Sequence, residues 1–217
     1  GIPLCWPWFG NADKNPAAVQ HHLSNAQQAN AHGFARTLDW QLTSLQESCD
    51  QLSLILTLNT EPLSPQQRQF WQGKAQLSAE FILRRTSCTL TLTTTNLDNL
   101  PLTFSQALHT YLPADIHQAR LDGLQGCVYY NALIERDGQW LKQAQNGLVR
   151  FQQEVDRVYV QTKPRPLTLY GHPGSRRSIH ANSHSCVVWN PWIDKAKRLS
   201  QFHPQAYQQM LCIESAN

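Results

Sequence analysis

The stretch that most constrains the fold is residues 100–112, LPLTFSQALHTYL. It follows a turn-forming cluster, Asn96-Leu97-Asp98-Asn99, and its residue types alternate. Successive side chains on a strand point to opposite faces, so the alternation predicts a β-strand. Leu102, Phe104, Leu108, Thr110 and Leu112 share one face, interrupted by Gln106; Thr103, Ser105, Ala107, His109 and Tyr111 share the other. The first face is apolar enough to pack a core. The second carries no Lys, Glu or Arg, as a solvated face would. We read it as the lining of a polar pocket into which His109 projects, the alternative being a histidine hydrogen-bonded within a sheet.

Further strands are predicted at 51–59, where Leu52, Leu54, Leu56 and Leu58 point inward, and at 76–84, 87–95, 127–133, 148–161 and 167–170. Residues 178–188 read as extended. Asp137-Gly138, Asn146-Gly147, Pro164 and Pro166 separate these runs. Residues 11–31 read as an exposed polar loop. Helix is expected only near 204–210, with at most a short piece in 63–73. Many short strands with little helical periodicity make this an all-β chain, a sandwich or barrel. At 217 residues it reads as a single domain (1–217). The start at Gly1 without Met and the end at ESAN, in mid-strand, predict truncation at one or both ends.

Composition excludes several functions. A net charge of +3 is too small and scattered for a nucleic-acid footprint. No apolar run approaches the ~20 residues of a membrane helix, and no signal peptide is visible. The cytoplasm is therefore the default location. The six cysteines form no CxxC pair and read as reduced, mostly buried thiols. His21-His22 lacks a nearby third ligand, and the spacing of His180 and His184 aligns ligands only on a helix, so neither metal nor other cofactor is predicted. Seven tryptophans supply core and flat surfaces suited to sugar rings.

The polar candidates are His32 and Arg36 in HGFAR, His109, Asp156 in EVDRVY, and Glu214 closing the apolar run LCIE. A carboxylate ending a buried strand is costly unless it has partners or chemistry to perform. A His–Glu pair suits proton transfer near neutral pH, imidazole titrating near ~6.5 and a carboxylate being tunable upward from ~4.3. Asp156 with Glu214 would instead offer the two carboxylates of a glycosidase. A non-catalytic carbohydrate-binding sandwich would use the same face without proton transfer. Cys212, flanked by Leu211 and Ile213, reads as a buried structural thiol rather than a nucleophile.

Six segments occur in order: GIPLCWPWFG, AHGFAR, NLDNLPLTFSQALHTYLPADI, EVDRVY, VVWNPW and MLCIE. Together they resemble the hexose-6-phosphate 1-epimerase (glucose-6-phosphate mutarotase) branch of the aldose 1-epimerase family, over nearly the whole chain. The resemblance implies a galactose-mutarotase-like β-sandwich (supersandwich) of large antiparallel sheets with few short helices, acting on a small-molecule sugar phosphate. It implies His109 as general acid and Glu214 as general base. It further implies substrate contacts from His32, Phe34, Arg36, Tyr111, Asp156, Trp189 and Lys195, with phosphate drawn to Arg36 or Lys195. The alternative substrate is an unphosphorylated sugar. A monomer or weak homo-oligomer is expected, without nucleic-acid or membrane partners.

Overall fold

The computed structural model describes residues 1–68, 70–160, 166–200 and 202–217. The predicted break at Pro164 and the end of the predicted 148–161 strand lie outside them. The chain divides into two compact units, Cys5–Gln106 and Gly1–Leu4 with Ala107–Asn217. Strand β1 (Leu4–Cys5) lies where the chain passes between them.

In the Cys5–Gln106 unit, β2 (Gln41–Glu47), β3 (Gln51–Asn59), β4 (Ala75–Arg84) and β5 (Ser87–Asn96) form an antiparallel meander in sequence order. The last three match the predicted strands to within a residue at each end. β2 was not foreseen; its leucines stay exposed, Leu42 at 53% and Leu45 at 59%. Of the leucines expected inward on β3, Leu58 is buried, whereas Leu52, Leu54 and Leu56 are half-buried. Packing is concentrated at the start of β4, where Ala75, Leu77 and Ala79 are fully buried. There Trp6, Trp8, Phe34 and Trp71 interlock: Trp6 and Trp71 meet at 4.8 Å, and Phe34 stands edge-on to Trp6 at 5.9 Å and to Trp8 at 5.8 Å. Each such pair adds about 0.5–1.5 kcal/mol beyond burial. The 11–31 segment is less open than expected. It holds a 3-10 turn at Ala12–Lys14 and α1 (Ala17–Gln20), which bury Ala12 and Val19. A second short helix, α2, spans Pro65–Arg68.

The other unit holds β6 (Ala107–Leu108), β7 (Tyr111–Pro113), β8 (Arg120–Asp122), β9 (Val128–Arg136), β10 (Gln139–Ala144), β11 (Val149–Arg150), β12 (Val155–Tyr159), β13 (Leu167–Tyr170), β14 (Arg177–Ile179), β15 (Ser185–Asn190) and β16 (Met210–Ala216). Its large sheet runs β6–β16–β15–β12–β9–β10, with β7 also paired to β16. A four-stranded sheet runs β11–β8–β13–β14. Leu121, Leu169, Val149, Val188, Leu211 and Ile213 belong to one buried cluster that both sheets supply. On this side of the large sheet the buried Gln145 accepts from Tyr159 Oη at 2.7 Å and Arg157 Nη1 at 3.0 Å, satisfying polar groups that burial would otherwise penalise.

Two expectations are corrected here. Residues 100–112 are not one strand: only 107–108 and 111–113 are strand, and the boundary between the units falls after Gln106. Leu102 and Phe104 pack on the aromatic core of one unit, while Leu112 packs on the core of the other. At the break, Thr110 N–H bonds back to Leu108 O and His109 N–H to Pro3 O, taking both amides off the ladder. Helix is also more extensive than predicted. The seven-residue α3 (Trp192–Arg198) follows β15, and the 204–210 prediction survives as a 3-10 turn at Ala206–Gln209.

Gly33 has φ +64°, and a Cβ there would meet Trp6 O at 2.1 Å, because Phe34 and Ala35 N–H both bond to that carbonyl. Gly10 has φ +67° with open space around it. Gly10→Ala is expected to cost about 1 kcal/mol for conformation alone, and Gly33→Ala clearly more, about 2 kcal/mol or above, from overlap with backbone. Urea unfolding of the two variants, compared by midpoint, checks the difference.

Candidate active site

The antiparallel register builds the site. β16 pairs with β7 as Cys212↔Tyr111 and with β6 as Ser215↔Leu108, a constant offset that sets Glu214 directly across from His109. Opposed residues of an antiparallel pair share a face. The next strands extend that face, with Trp189 across from Cys212 and Asp156 across from Trp189. Tyr111, Cys212, Trp189 and Asp156 thus form one row, and His109, Glu214 and Val187 the row beside it. The opposite face carries the core residues Leu211, Ile213 and Val188.

His109 Nε2 lies 3.3 Å from Glu214 Oε1, with the two side chains 11% and 2% exposed. The imidazole is stacked on Tyr111, centroids 5.0 Å apart at 19°, and meets Trp189 edge-on at 6.0 Å. Two aromatic walls therefore hold its plane. Glu214 Oε2 is buried with no hydrogen-bond partner among the described residues. Burial, with the negative charge of Asp156 in support, pushes the Glu214 carboxyl up to about 8. Lys195, on α3, reaches Glu154 Oε1 at 3.1 Å and Asp156 Oδ2 at 3.6 Å, its Nζ 5.9 Å from the Trp189 ring. Burial raises Asp156 too, Lys195 opposing the rise and Glu154 adding to it.

Asn190 fixes the approach of α3. Fully buried, it donates from Nδ2 to Tyr207 O and Met210 O, while its Oδ1 accepts from Trp192 N–H at 2.9 Å. Trp192 is thereby held at φ 54°, a left-handed conformation that costs a non-glycine residue energy. Glu154 and Asn190 were not singled out from the sequence. Asn190 lies within VVWNPW, and Glu154 became notable only once α3 brought Lys195 to it.

The remaining predicted residues lie in the Cys5–Gln106 unit, on one loop. His32 has φ 68°; its N–H bonds to Gly10 O at 2.8 Å, and its Nδ1 accepts from Gly10 N–H at 3.3 Å. Phe34 is 8% exposed, its ring set among indoles, so it anchors the loop. Arg36 is exposed and donates from Nη2 to Ala31 O at 3.1 Å. Of the cysteines, Cys5, Cys186 and Cys212 are buried, Cys127 is half-buried, and Cys49 and Cys88 are exposed, fewer buried than the sequence suggested. Among the described residues no helix is long and apolar enough to cross a membrane.

Comparison with known proteins gives the family and the fold. A "Putative glucose-6-phosphate 1-epimerase" of Cenchrus ciliaris is 28% identical over 224 residues, spanning all of this chain and 63% of its own length. One of the same description from Escherichia coli (strain K12) is 29% identical over 220 residues, spanning all of this chain and 66% of its own. The chain thus spans just under two-thirds of the length of these curated relatives. Among solved structures, a "putative mutarotase (YeaD)" from Salmonella typhimurium matches all of this chain and 66% of its own with a TM-score of 0.81 at 24% identity. A galactose mutarotase-like protein from Clostridium acetobutylicum gives 0.67 at 12%, over all of this chain and 68% of its own. The fold is therefore the galactose mutarotase-like arrangement of antiparallel sheets. The family model for aldose 1-epimerase matches residues 1–217, the whole span that carries the histidine–glutamate pair, and the chain belongs to the aldose 1-epimerase family.

Proposed function

We propose that the protein interconverts the α and β anomers of hexose 6-phosphates by ring opening, with Glu214 as base and His109 as acid. The observation that carries this reading is the 3.3 Å approach of Nε2 and Oε1 across paired strands. Mutarotation acts on two oxygens bonded to one carbon, the anomeric hydroxyl and the ring oxygen, so its acid and base must stand side by side. Glu214 takes the hydroxyl proton as C1=O forms. The C1–O5 bond breaks as O5 takes the proton from His109. Rotation about C1–C2 then exposes the other carbonyl face, and the same two groups run the steps in reverse. No net proton or electron is exchanged. Within the Ala107–Asn217 part of the chain, Trp189 and Tyr111 wall the sugar, Asp156 takes a hydroxyl and Lys195 supplies a cation; the family resemblance assigns His32, Phe34 and Arg36 to substrate as well, with Arg36 on the phosphate. Family membership and the names of the relatives support the substrate class.

His109→Ala and Glu214→Gln should each lower kcat by about 10²–10⁴-fold, the usual contribution of a positioned acid or base. NMR exchange at C1 of glucose 6-phosphate measures this; unchanged rates in both variants would exclude the mechanism. Lys195 already shares its charge with two carboxylates, whereas Arg36 is exposed with guanidinium donors to offer. Arg36→Ala should therefore reduce kcat/KM for glucose 6-phosphate by about tenfold or more while sparing glucose, the loss of one charge-assisted hydrogen bond.

The ionised carboxylate is the base, so kcat/KM should climb with pH toward about 8 on the limb that Glu214 governs. Asp156→Asn removes a repelling charge, lowers the carboxyl pKa and should move that limb to lower pH. A limb that stays in place would show that Asp156 does not tune the base.

A further inference from the structure

We propose that His109, Cys212 and Glu214 also form a binding site for a soft divalent cation of the zinc and cadmium type. Cys212 and Glu214 are neighbours on one face of β16, and His109, about a hundred residues earlier in the chain, meets them only through the register described above. A ligating atom from each lies within 4.8 Å of the other two, and all three residues are buried. His109 Nε2 and Glu214 Oε1, at 3.3 Å, already have the separation of two ligands on one tetrahedral metal, whose bonds of about 2.0–2.3 Å set neighbouring ligands roughly 3–4 Å apart. Cys212 completes the triangle because it sits two residues from Glu214 on the same face of β16. The buried Oε2 of Glu214, with no hydrogen-bond partner among the described residues, offers a further ligand atom.

The donor set selects the metal. One sulfur, one nitrogen and one carboxylate oxygen suit zinc or cadmium, whereas magnesium and calcium want oxygen alone. On binding, the Cys212 S–H bond breaks as the S–metal bond forms, the Glu214 carboxyl gives up its proton as its oxygen ligates, and both protons leave to solvent, with the metal staying divalent. Thiolate and carboxylate then neutralise the cation, which lowers the cost of burying it. Three side chains ligating through one atom each leave the fourth tetrahedral position to Glu214 Oε2 or to a water. Metal here would occupy the lone pairs that Glu214 needs as a base, so it would block mutarotation. That consequence rests on the epimerase reading; the binding itself does not.

The test uses the full chain carrying C49S and C88S, which removes the two exposed thiols, stripped of metal with EDTA and exchanged into chelator-free buffer. Cadmium is titrated while thiolate-to-metal charge-transfer absorption is followed, and zinc is then added as competitor. One equivalent is expected to saturate the band and zinc to displace it. C212S should abolish the band, and E214Q should weaken cadmium binding by about tenfold or more. No band at one equivalent, a band that survives C212S, or unchanged affinity in E214Q would each overturn the proposal. C212A serves if C212S does not fold, as judged by circular dichroism. Mutarotation of the metal-free parent, assayed on the same samples, reports separately on the acid–base reading.

Discussion

The registry of one strand pair governs the rest of the site. Because β16 runs antiparallel to β6 and β7 with a constant offset, Glu214 falls opposite His109, and both project from the face away from the core. A shift of one residue would turn Glu214 into the apolar cluster and bring Ile213 to the imidazole. Registry is in turn held by that cluster, since Leu211 and Ile213 are buried only when the even-numbered residues face the other way. The hydrophobic effect that stabilises the sheet therefore also aims the carboxylate.

Burial then gives the carboxylate its chemistry. A solvated glutamate is a weak base, ionised well below neutral pH. Glu214 is almost wholly removed from water and sits in the field of Asp156, so its proton is held toward neutral pH. Lys195 prevents this accumulation of negative charge from becoming prohibitive by binding Glu154 and Asp156, and it can do so because Asn190 turns the chain from β15 into α3. The left-handed Trp192 is tolerated because its ring packs on Tyr207 at 5.4 Å and its amide is bound. Strain in the backbone is thus offset by packing next to the residues it positions.

The same crowding makes the pair chemically versatile. Imidazole, thiol and carboxylate packed together in a buried place can pass protons to a sugar or close on a metal ion. Which they do depends on what reaches them, because both uses draw on the same lone pairs.

Local order was legible in the sequence. Strands β3, β4, β5 and β13 lie where the sequence placed them, and EVDRVY, VVWNPW and LCIE carry Asp156, Trp189 and Glu214, which the sheet brings onto one face with His109. Periodicity reports which side of a strand a residue faces, because that is a property of neighbours in the chain. It does not report which strand lies alongside, nor where one packed unit ends. Residues 100–112 alternate throughout, yet their two halves serve different cores, and the strand breaks at His109. The meeting of His109, Cys212 and Glu214, the raised pKa of the carboxylate and the pairing of Lys195 were decided by tertiary structure alone. Each depends on distances between residues remote in the chain, which only the packing of the apolar face sets.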